Sequence, residues 1–378
     1  MDSARILDLE GGALVTENNS IAFVCGSKPS DGIFKGGIAM FNSLKELGFK
    51  VNWYQCVDKV GSKGYPEDAR FISGIQFPSP MISMGLNRMY YFPRNSKKLS
   101  EKTFFLLDPS LIRVGMNRAN VIVKIYDIRP LTKYADKLFT KFMYLYSIPR
   151  LRNVNQIIVA TNYMKHELIK LNFNKDKITV IPDISQLSLN SKHVYTSLDR
   201  IKGGDVNLLY IATDRPYKNI SFLIQLAKAF SKDARLKKFK FHLVSKLKKT
   251  TMSEIVNCEL QNLFVYSDVG DINNVYQMAD ILLFPSLYEG FGLPLVEAMS
   301  IGMPIICNRL EPMCEILDFA GYFVSPNDLI EWKNAILALS EAQEYKRMSD
   351  LCLKRYEHYS PQSYKQKICS VFHRIQAY

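Results

Sequence analysis

The sequence has little that would place it in a membrane, an oxidising compartment or a metal scaffold. Its longest apolar runs, Ala279–Pro285 and Met299–Cys307, are far shorter than the ~20 residues that span a bilayer. Seven cysteines form no CxxC pair, which argues against a disulfide framework or a cysteine zinc site and suits a reducing cytoplasm. The five histidines are dispersed and no HExxH occurs, so a histidine-held metal is not expected. No Asp-x-Asp triplet is present to grip a metal diphosphate. No GxGxxG follows the first apolar strand, and GxSxG and GxxxxGK[ST] are missing, which weakens dehydrogenase, hydrolase-elbow and P-loop readings. The first residues, MDSARILDLEGG, carry acids where an export signal carries bases, so a secretory leader is not expected. Internal repeats and low-complexity tracts are also lacking.

What the chain does have is length and positive charge. At 378 residues it exceeds one comfortable core and suits two domains of about 150–200 residues. With 47% hydrophobic and 22% charged residues it reads as globular, neither disordered nor fibrous. Lys and Arg number 49 against 36 Asp and Glu, a net charge of +13. Residues 1–190 alone hold 26 basic and 16 acidic side chains. A basic half suits a polyanionic partner: anionic lipid, nucleic acid or a phosphorylated substrate. The plainer reading is charge for solubility.

Short β-rich runs alternate with helical patterns, the rhythm of parallel βαβ units. Strands are expected at Ser20–Cys25, Lys50–Cys56, Thr103–Leu107, Asn120–Tyr126, Gln156–Ala160 and Lys177–Ile181, with helices at Ile38–Leu47 and Leu131–Tyr146. Residues 183–204 lose periodicity and gain Ser, Asn and Gly, a linker signature. A second series follows, with strands at Asn207–Ala212, Phe239–Val244, Leu263–Tyr266, Ile281–Phe284, Pro304–Cys307 and Gly321–Val324. Its helices are expected at Ile220–Phe230 and Pro294–Ile301. The expected fold is α/β, two Rossmann-like doubly wound domains. In such sheets ligands bind outside the carboxyl ends of the strands, here in the cleft between domains.

The chemistry concentrates in Ala279–Leu317, ADILLFPSLYEGFGLPLVEAMSIGMPIICNRLEPMCEIL. An apolar strand runs into Pro285 and Ser286, then a carboxylate, a Gly-Phe-Gly turn and a proline at a helix start. A second carboxylate, Glu297, lies eight positions after Glu289. Pro294 suits the first helical turn because its missing N–H is an orphan there anyway. Gly290 and Gly292 let the main chain approach a ligand closely, and amides at a helix N-terminus attract anions. Two carboxylates beside them are good hydroxyl acceptors. The combination fits a molecule with both phosphates and sugar hydroxyls. The competing reading is a strand–turn–helix that needs glycine only for close packing.

The whole pattern resembles the retaining GT-B glycosyltransferases of family 4, whose E-x7-E element lies in a run like PSxxEGFGLPxxEAMxxGxPVI. Pro285, Ser286, Gly302 and Pro304 match it, and Glu315 falls in the usual downstream neighbourhood. With declining strength the resemblance reaches LLYIATDRPYKNI, where Lys218 and Asn219 match a basic element that grips the donor diphosphate and Tyr217 replaces its arginine. Gly36-Gly37 matches a pair beside the donor phosphate and acceptor. NVIVKIYDIRPL matches a strand that ends in His-Asp, with Tyr126-Asp127 here. QIIVATNYMKHEL and KITVIPDIS match further family runs, with Thr161 for Ser and Asp183 for Asn. YSPQSYKQKICSVF resembles a last helix that crosses back to the first domain. Residues 1–19 match no part of the pattern.

The resemblance implies an acceptor-side domain at 1–185, joined by a returning helix at 360–378, and a nucleotide-sugar donor domain at 186–359. It implies a hexosyltransferase in which Lys218, with Arg215 and amides around Gly292 and Leu293, stabilises the leaving diphosphate. Glu289 would contact the donor hexose and Glu297 the ribose. Gly37, Gly290 and Phe291 would border the donor, and Asp127 would position the acceptor hydroxyl. Neither cofactor nor metal is implied; the leaving phosphate takes the acceptor proton, and no side chain acts as covalent nucleophile. GDP-mannose is a first expectation for the donor, ahead of a UDP-hexose. The expected partners are this nucleotide sugar and a glycan or lipid-linked acceptor, in the cytoplasm.

Lys133, Lys137 and Lys141 fall at i, i+4, i+8 among Leu138, Phe139, Phe142 and Tyr144. On one helix such a stripe suits peripheral contact with an anionic membrane face; the competing reading is a solvated helix back with its aromatics in the core. Three alternatives stay open. One is a non-catalytic sugar-nucleotide or glycan-binding relative, favoured by Tyr126 and Tyr217. Another is a glycosyltransferase acting on nucleic acid, favoured by the basic half, although no helix-turn-helix, zinc-finger or RRM pattern is present and no nucleic-acid partner is expected. The third is a sugar-nucleotide epimerase of the same architecture.

Overall fold

Each βα series builds its own parallel sheet. The computed structural model describes residues 20–376 apart from 30, 58–63, 136, 137, 186 and 188–191. Residues 1–19, and Lys137 of the lysine stripe, lie outside the described residues. The first sheet holds β1 (Ile21–Cys25), β2 (Val51–Val57), β3 (Arg70–Ser73), β4 (Thr103–Leu106), β5 (Asn120–Lys124), β6 (Gln156–Val159) and β7 (Ile178–Val180). Their order is β3-β2-β1-β4-β5-β6-β7. The second holds β8 (Val206–Ile211), β9 (Phe239–Val244), β10 (Leu263–Tyr266), β11 (Ile281–Phe284), β12 (Ile305–Asn308) and β13 (Gly321–Val324), in the order β10-β9-β8-β11-β12-β13. Both orders reverse after the first strand of their series, the doubly wound arrangement expected.

Helices on both faces bury these strands, which is why β1 and β11 read as unbroken apolar runs, IAFVC and ILLF. The reversals place topological switch points between β1 and β4 and between β8 and β11. The loops leaving those strands therefore line the crevice in each sheet.

The last helix, Pro361–Gln376, packs on the first domain. Ile368 and Phe372 are fully buried among β1, β4 and the helix Gly32–Glu46. Phe372 stacks on Phe105 with 5.8 Å between ring centroids and meets Phe49 edge-on at 6.0 Å.

Several expected boundaries shift. The first helix begins at Gly32, six residues before Ile38, so Gly36 and Gly37 lie inside it and not in the preceding loop. The strand Arg70–Ser73 went unrecognised because as an edge strand it buries only Ile72. The helix expected from Leu131 begins at Leu138 and runs to Leu151, past Pro149. Lys133 therefore precedes it, and the lysine stripe does not lie on one helix. The presumed linker at 183–204 contains the helix Lys192–Gly203, whose Val194 and Ile201 join the second domain's core.

Candidate active site

The loops that leave β8 and β11 are joined by direct bonds. The Leu287 N–H donates to the Tyr217 carbonyl at 2.7 Å. Asn219 donates from Nδ2 to the Pro285 carbonyl at 3.2 Å, and Asn308 on β12 donates to the Pro285 and Ser286 carbonyls at 2.8 and 3.0 Å. The buried Tyr210 hydroxyl donates to the Lys218 carbonyl and lies 3.2 Å from Ser286 Oγ. Asn219 adopts the left-handed region at φ 58°, which asparagine tolerates better than most residues. The sharp turn after Lys218 and the main chain before Glu289 are thus held by amide side chains. Without these amides the buried carbonyls would lack partners.

This framework brings Lys218 Nζ to 2.5 Å from Glu289 Oε1, with side chains 15% and 9% exposed. Three residues on, Gly292 caps the helix Leu293–Ser300 at φ 96°, a conformation suited to glycine. Pro294 occupies the helix's first turn. Phe291 is buried and packs toward Tyr359. Glu297, one turn into the helix, accepts the Tyr276 hydroxyl at 2.6 Å. Burial raises the pKa of the Glu297 carboxyl, against the opposing pull of Tyr276 and of Lys35 across the cleft.

The first domain closes over these loops. A Cβ on Gly290 would lie 2.0 Å from the Tyr126 carbonyl oxygen and 2.9 Å from Asp127 Cβ. Glycine at 290 is therefore required for contact between the domains, a use not foreseen beside ligand approach. Asp127 accepts the Arg129 N–H at 2.9 Å. Burial raises its pKa above the ordinary aspartate value, Arg129 and Lys218 oppose that, and Glu289 adds to it.

Gly37 is set against the side chain of Leu107, whereas Gly36 faces Tyr126 and Asp183. Asp183 in turn pairs with the fully buried Lys124. Arg215 lines a neighbouring cavity with Lys133, Tyr134, Tyr217 and Lys248. Of the expected residues, Lys218, Glu289, Gly290, Gly292 and Asp127 converge. Gly37 supports packing, and Arg215 belongs to the neighbouring cavity.

Sequence reasoning missed Tyr288 and Arg129. Tyr288 lies 6.3 Å edge-on to Tyr217 and 5.6 Å from Tyr134, and Arg129 sits over Tyr217 at 5.1 Å. Their signal was the cluster of aromatics and bases flanking both motifs. Among the described residues no group of three His, Cys, Asp or Glu side chains is placed to hold a metal ion. No helix among them is long and apolar enough to cross a membrane.

The two sheets, their order and their facing loops are the GT-B architecture. Residues 199–351 match the family of glycosyl transferases group 1. Among curated proteins, the chain is 26% identical over 190 residues to the O-antigen chain mannosyltransferase B of Escherichia coli, covering 46% of this chain and 48% of that protein. It is 24% identical over 251 residues to the O-antigen chain mannosyltransferase RfbU of Salmonella typhimurium, covering 63% and 66% respectively. The matches thus span about half to two thirds of those relatives. Among solved structures, the sucrose-phosphate synthase of Thermosynechococcus elongatus superposes with a TM-score of 0.76 at 14% identity, over 95% of this chain and 99% of that one. Anabaena HepE, solved in complex with UDP and glucose, superposes with a TM-score of 0.74 at 13% identity, over 93% and 99%.

Proposed function

We propose that the protein is a retaining hexosyltransferase of the family 4 type, moving a hexose from a nucleotide sugar to the hydroxyl of a glycan or lipid-linked acceptor. One observation carries this reading. The Lys218–Glu289 pair and the Gly292-capped helix meet at the switch point of the second sheet and face Asp127 of the first. A diphosphate entering there exchanges Glu289 for itself as the partner of Lys218, and the freed carboxylate accepts hydroxyls of the hexose. The amides of Gly292 and Leu293 add main-chain donors at the helix start, where negative charge is favoured. Glu297, held by Tyr276, serves the ribose. The leaving phosphate takes the acceptor proton on the face it departs from, and Asp127 positions that hydroxyl. Charge neutralisation falls to Lys218 and the amides, so the reading needs no metal or cofactor. The two O-antigen relatives above are named for mannosyl transfer, which favours GDP-mannose over a UDP-hexose.

A thermal-shift panel of GDP, UDP, ADP and their sugars identifies the donor, because a ligand that binds only the native state raises its melting temperature. NMR of the product's anomeric proton then reads the stereochemistry. A β-linked product from an α-linked donor, or no stabilisation by any nucleotide, overturns the reading.

We also propose that the first domain docks on the cytoplasmic face of an anionic membrane. Met81, Ile82 and Leu86 on the helix Pro80–Leu86 are 50%, 51% and 41% exposed. Leu138, Phe142 and Leu145 on the helix Leu138–Leu151 are 87%, 55% and 52% exposed. The two helices touch where Gly85 meets Phe139. An exposed apolar face of this kind, on the more basic half of the chain, suits insertion among anionic headgroups. Co-sedimentation with vesicles containing anionic lipid tests this. Binding should fall with added salt and with Phe142→Glu. If wild-type protein stays in the supernatant at low salt, the docking proposal is wrong.

A further inference from the structure

The switch point of the first sheet, between the ends of β1 and β4, holds an ion pair that no step above uses. Arg88 Nη2 donates to Asp108 Oδ2 at 3.0 Å, and both side chains are 14% exposed. Asp108 follows β4 by two residues, and its Oδ1 accepts the Ser110 N–H and hydroxyl at 2.8 and 2.7 Å. Gly26, the first residue past β1, lies against the guanidinium: a Cβ there would stand 3.4 Å from Nη2. Arg88 Nε is buried and has no hydrogen-bond partner among the described residues.

The chain is shaped to deliver this arginine. The helix Pro80–Leu86 continues through a wider π turn, Asn87–Tyr91, into the helix Phe92–Ser96, and such turns are frequent at functional sites. The buried Asn87 accepts the Ile75 N–H and donates to the Ile75 carbonyl, both at 2.8 Å. A Cβ on Gly74 would lie 2.5 Å from the same amide group, so the turn is locked in place. Leu86 and Tyr90 face outward, while Arg88 turns in. The loop leaving β1 is also held, since Gln55 Nε2 donates to the Ser27 carbonyl at 2.9 Å and the Lys28 N–H donates to Asp31 Oδ2 at 3.1 Å. Tyr144 connects the pair to the donor loops. Its hydroxyl donates to the Asp127 carbonyl at 3.1 Å, and burial raises its pKa, with the carboxylates of Asp127 and Asp108 adding to the effect.

We propose that Arg88 and Asp108 bind the acceptor sugar through adjacent ring hydroxyls, the carboxylate accepting from one and the guanidinium donating to its neighbour. The proposal rests on the transferase reading and gives its acceptor a site. A carboxylate has about four lone-pair positions and a guanidinium five N–H groups, so a pair joined by one bond still offers an acceptor beside donors. A vicinal diol matches that arrangement. A phosphate or carboxylate on the sugar would be set against Asp108, which is the physical reason for assigning an uncharged ring. The held ring lies on the side of Tyr144 whose partner, Asp127, faces the donor loops.

Ligand-observed NMR on the full chain, saturated with the nucleotide that stabilises it, tests the assignment. The probes are methyl glycosides of mannose, glucose, galactose and N-acetylglucosamine, with methyl glucuronide as the charged counterpart. At least one neutral glycoside should bind. Arg88→Gln and Asp108→Asn should each weaken it about 10-fold or more, the effect of one lost hydrogen bond to a charged group, without changing nucleotide affinity. Arg88→Lys keeps a cation for Asp108 but loses the planar fork, so it should weaken the glycoside while the melting temperature stays near that of wild type. The proposal is overturned if no neutral glycoside binds, if the variants bind as well as wild type, or if binding falls only in variants that melt early, which would make the pair structural. It is also overturned if the glucuronide binds more tightly than every neutral glycoside, or if nucleotide displaces the glycoside. If no nucleotide binds at all, the transferase reading fails, and the same measurements without nucleotide decide whether the pair holds a sugar.

Discussion

At the scale of single residues, the Lys218–Glu289 pair sets the sharpest expectation. Removing one partner of a buried pair leaves the other charge uncompensated, and the consequence differs with the side removed. Glu289→Ala leaves Lys218 for the diphosphate, so nucleotide affinity should hold or tighten while transfer falls about 10²–10³-fold, the cost of one lost transition-state contact. Lys218→Ala should weaken nucleotide binding and transfer together. Nucleotide titration beside a turnover assay separates the two, and a Glu289→Ala variant with full turnover would refute its role. His242, in contrast, is structural. Its Nε2 lies 3.0 Å from Asn207 Oδ1 and its Nδ1 lies 3.0 Å from the Tyr266 hydroxyl. Asn207 Nδ2 donates to Asp280, which turns Oδ1 toward the ring and fixes a proton on Nε2. Burial lowers its pKa to about 4, against the opposing effect of Asp280. The unfolded chain therefore binds the proton first as pH falls from about 6.5 to about 4, and stability declines over that window. Allowing for water at its edge, the loss is about 2 kcal/mol. Melting temperatures at pH 7 and pH 4.5 should differ less in His242→Gln than in wild type; equal differences would show that the ring does not titrate this way. The pairing of Lys218 with Glu289 was legible only as two separate motifs, because the two stand 71 positions apart in the chain. Pairings of this kind follow from sheet order, which local spacing does not encode.

At the scale of elements, the helix Asn162–Lys170 is capped from two domains. Thr161 Oγ1 accepts the Met164 N–H at 3.1 Å, the local cap that its sequence suggests. Glu315, on the short helix Met313–Leu317 of the second domain, accepts the Asn162 and Tyr163 N–H groups at 2.6 and 2.7 Å. Negative charge at a helix start is favourable, and hydrogen bonds to a charged acceptor contribute about 1.5–3 kcal/mol each. Opening the cleft breaks them. Glu315→Ala should therefore shift the protein toward an open form, speed hydrogen exchange at Asn162 and Tyr163, and lower turnover about 10-fold while the fold persists. Unchanged exchange at those two amides would show that Glu315 is not a latch. The interior strands β9 and β11 were legible in sequence, and so were the edge strands β10 and β13, whose runs LFVY and GYFV are apolar enough to place them. The edge strand Arg70–Ser73 was not, because an exposed edge needs little apolar character. The helix Lys192–Gly203 was hidden by its polar outward face, and only its packing against the second core explains why it forms.

At the scale of the whole molecule, the chain crosses between its sheets twice. After β7 it passes to the second domain, and after Tyr359 it returns as the helix Pro361–Gln376. That helix fills the face of the first sheet around β1 and β4, with Tyr364, Ile368 and Val371 buried beside Phe372. Lys365 adds an exposed ion pair to Glu46 at 2.6 Å, which contributes little beside that burial. The first domain's core is therefore complete only when the C-terminal segment has docked, and folding of one domain depends on a helix that continues the other. Phe372→Ala removes a fully buried ring that stacks on Phe105, a change that costs about 3–5 kcal/mol. The loss falls on the first domain, since the second core contains no described residue of this helix. Scanning calorimetry should show wild type melting as one coupled transition. The variant should show an earlier transition from the first domain, followed by a second close to the wild-type temperature, and a nucleotide that binds the second domain should raise only the later one. A single, unshifted transition in Phe372→Ala would mean that the returning helix rests on the first domain without holding it together.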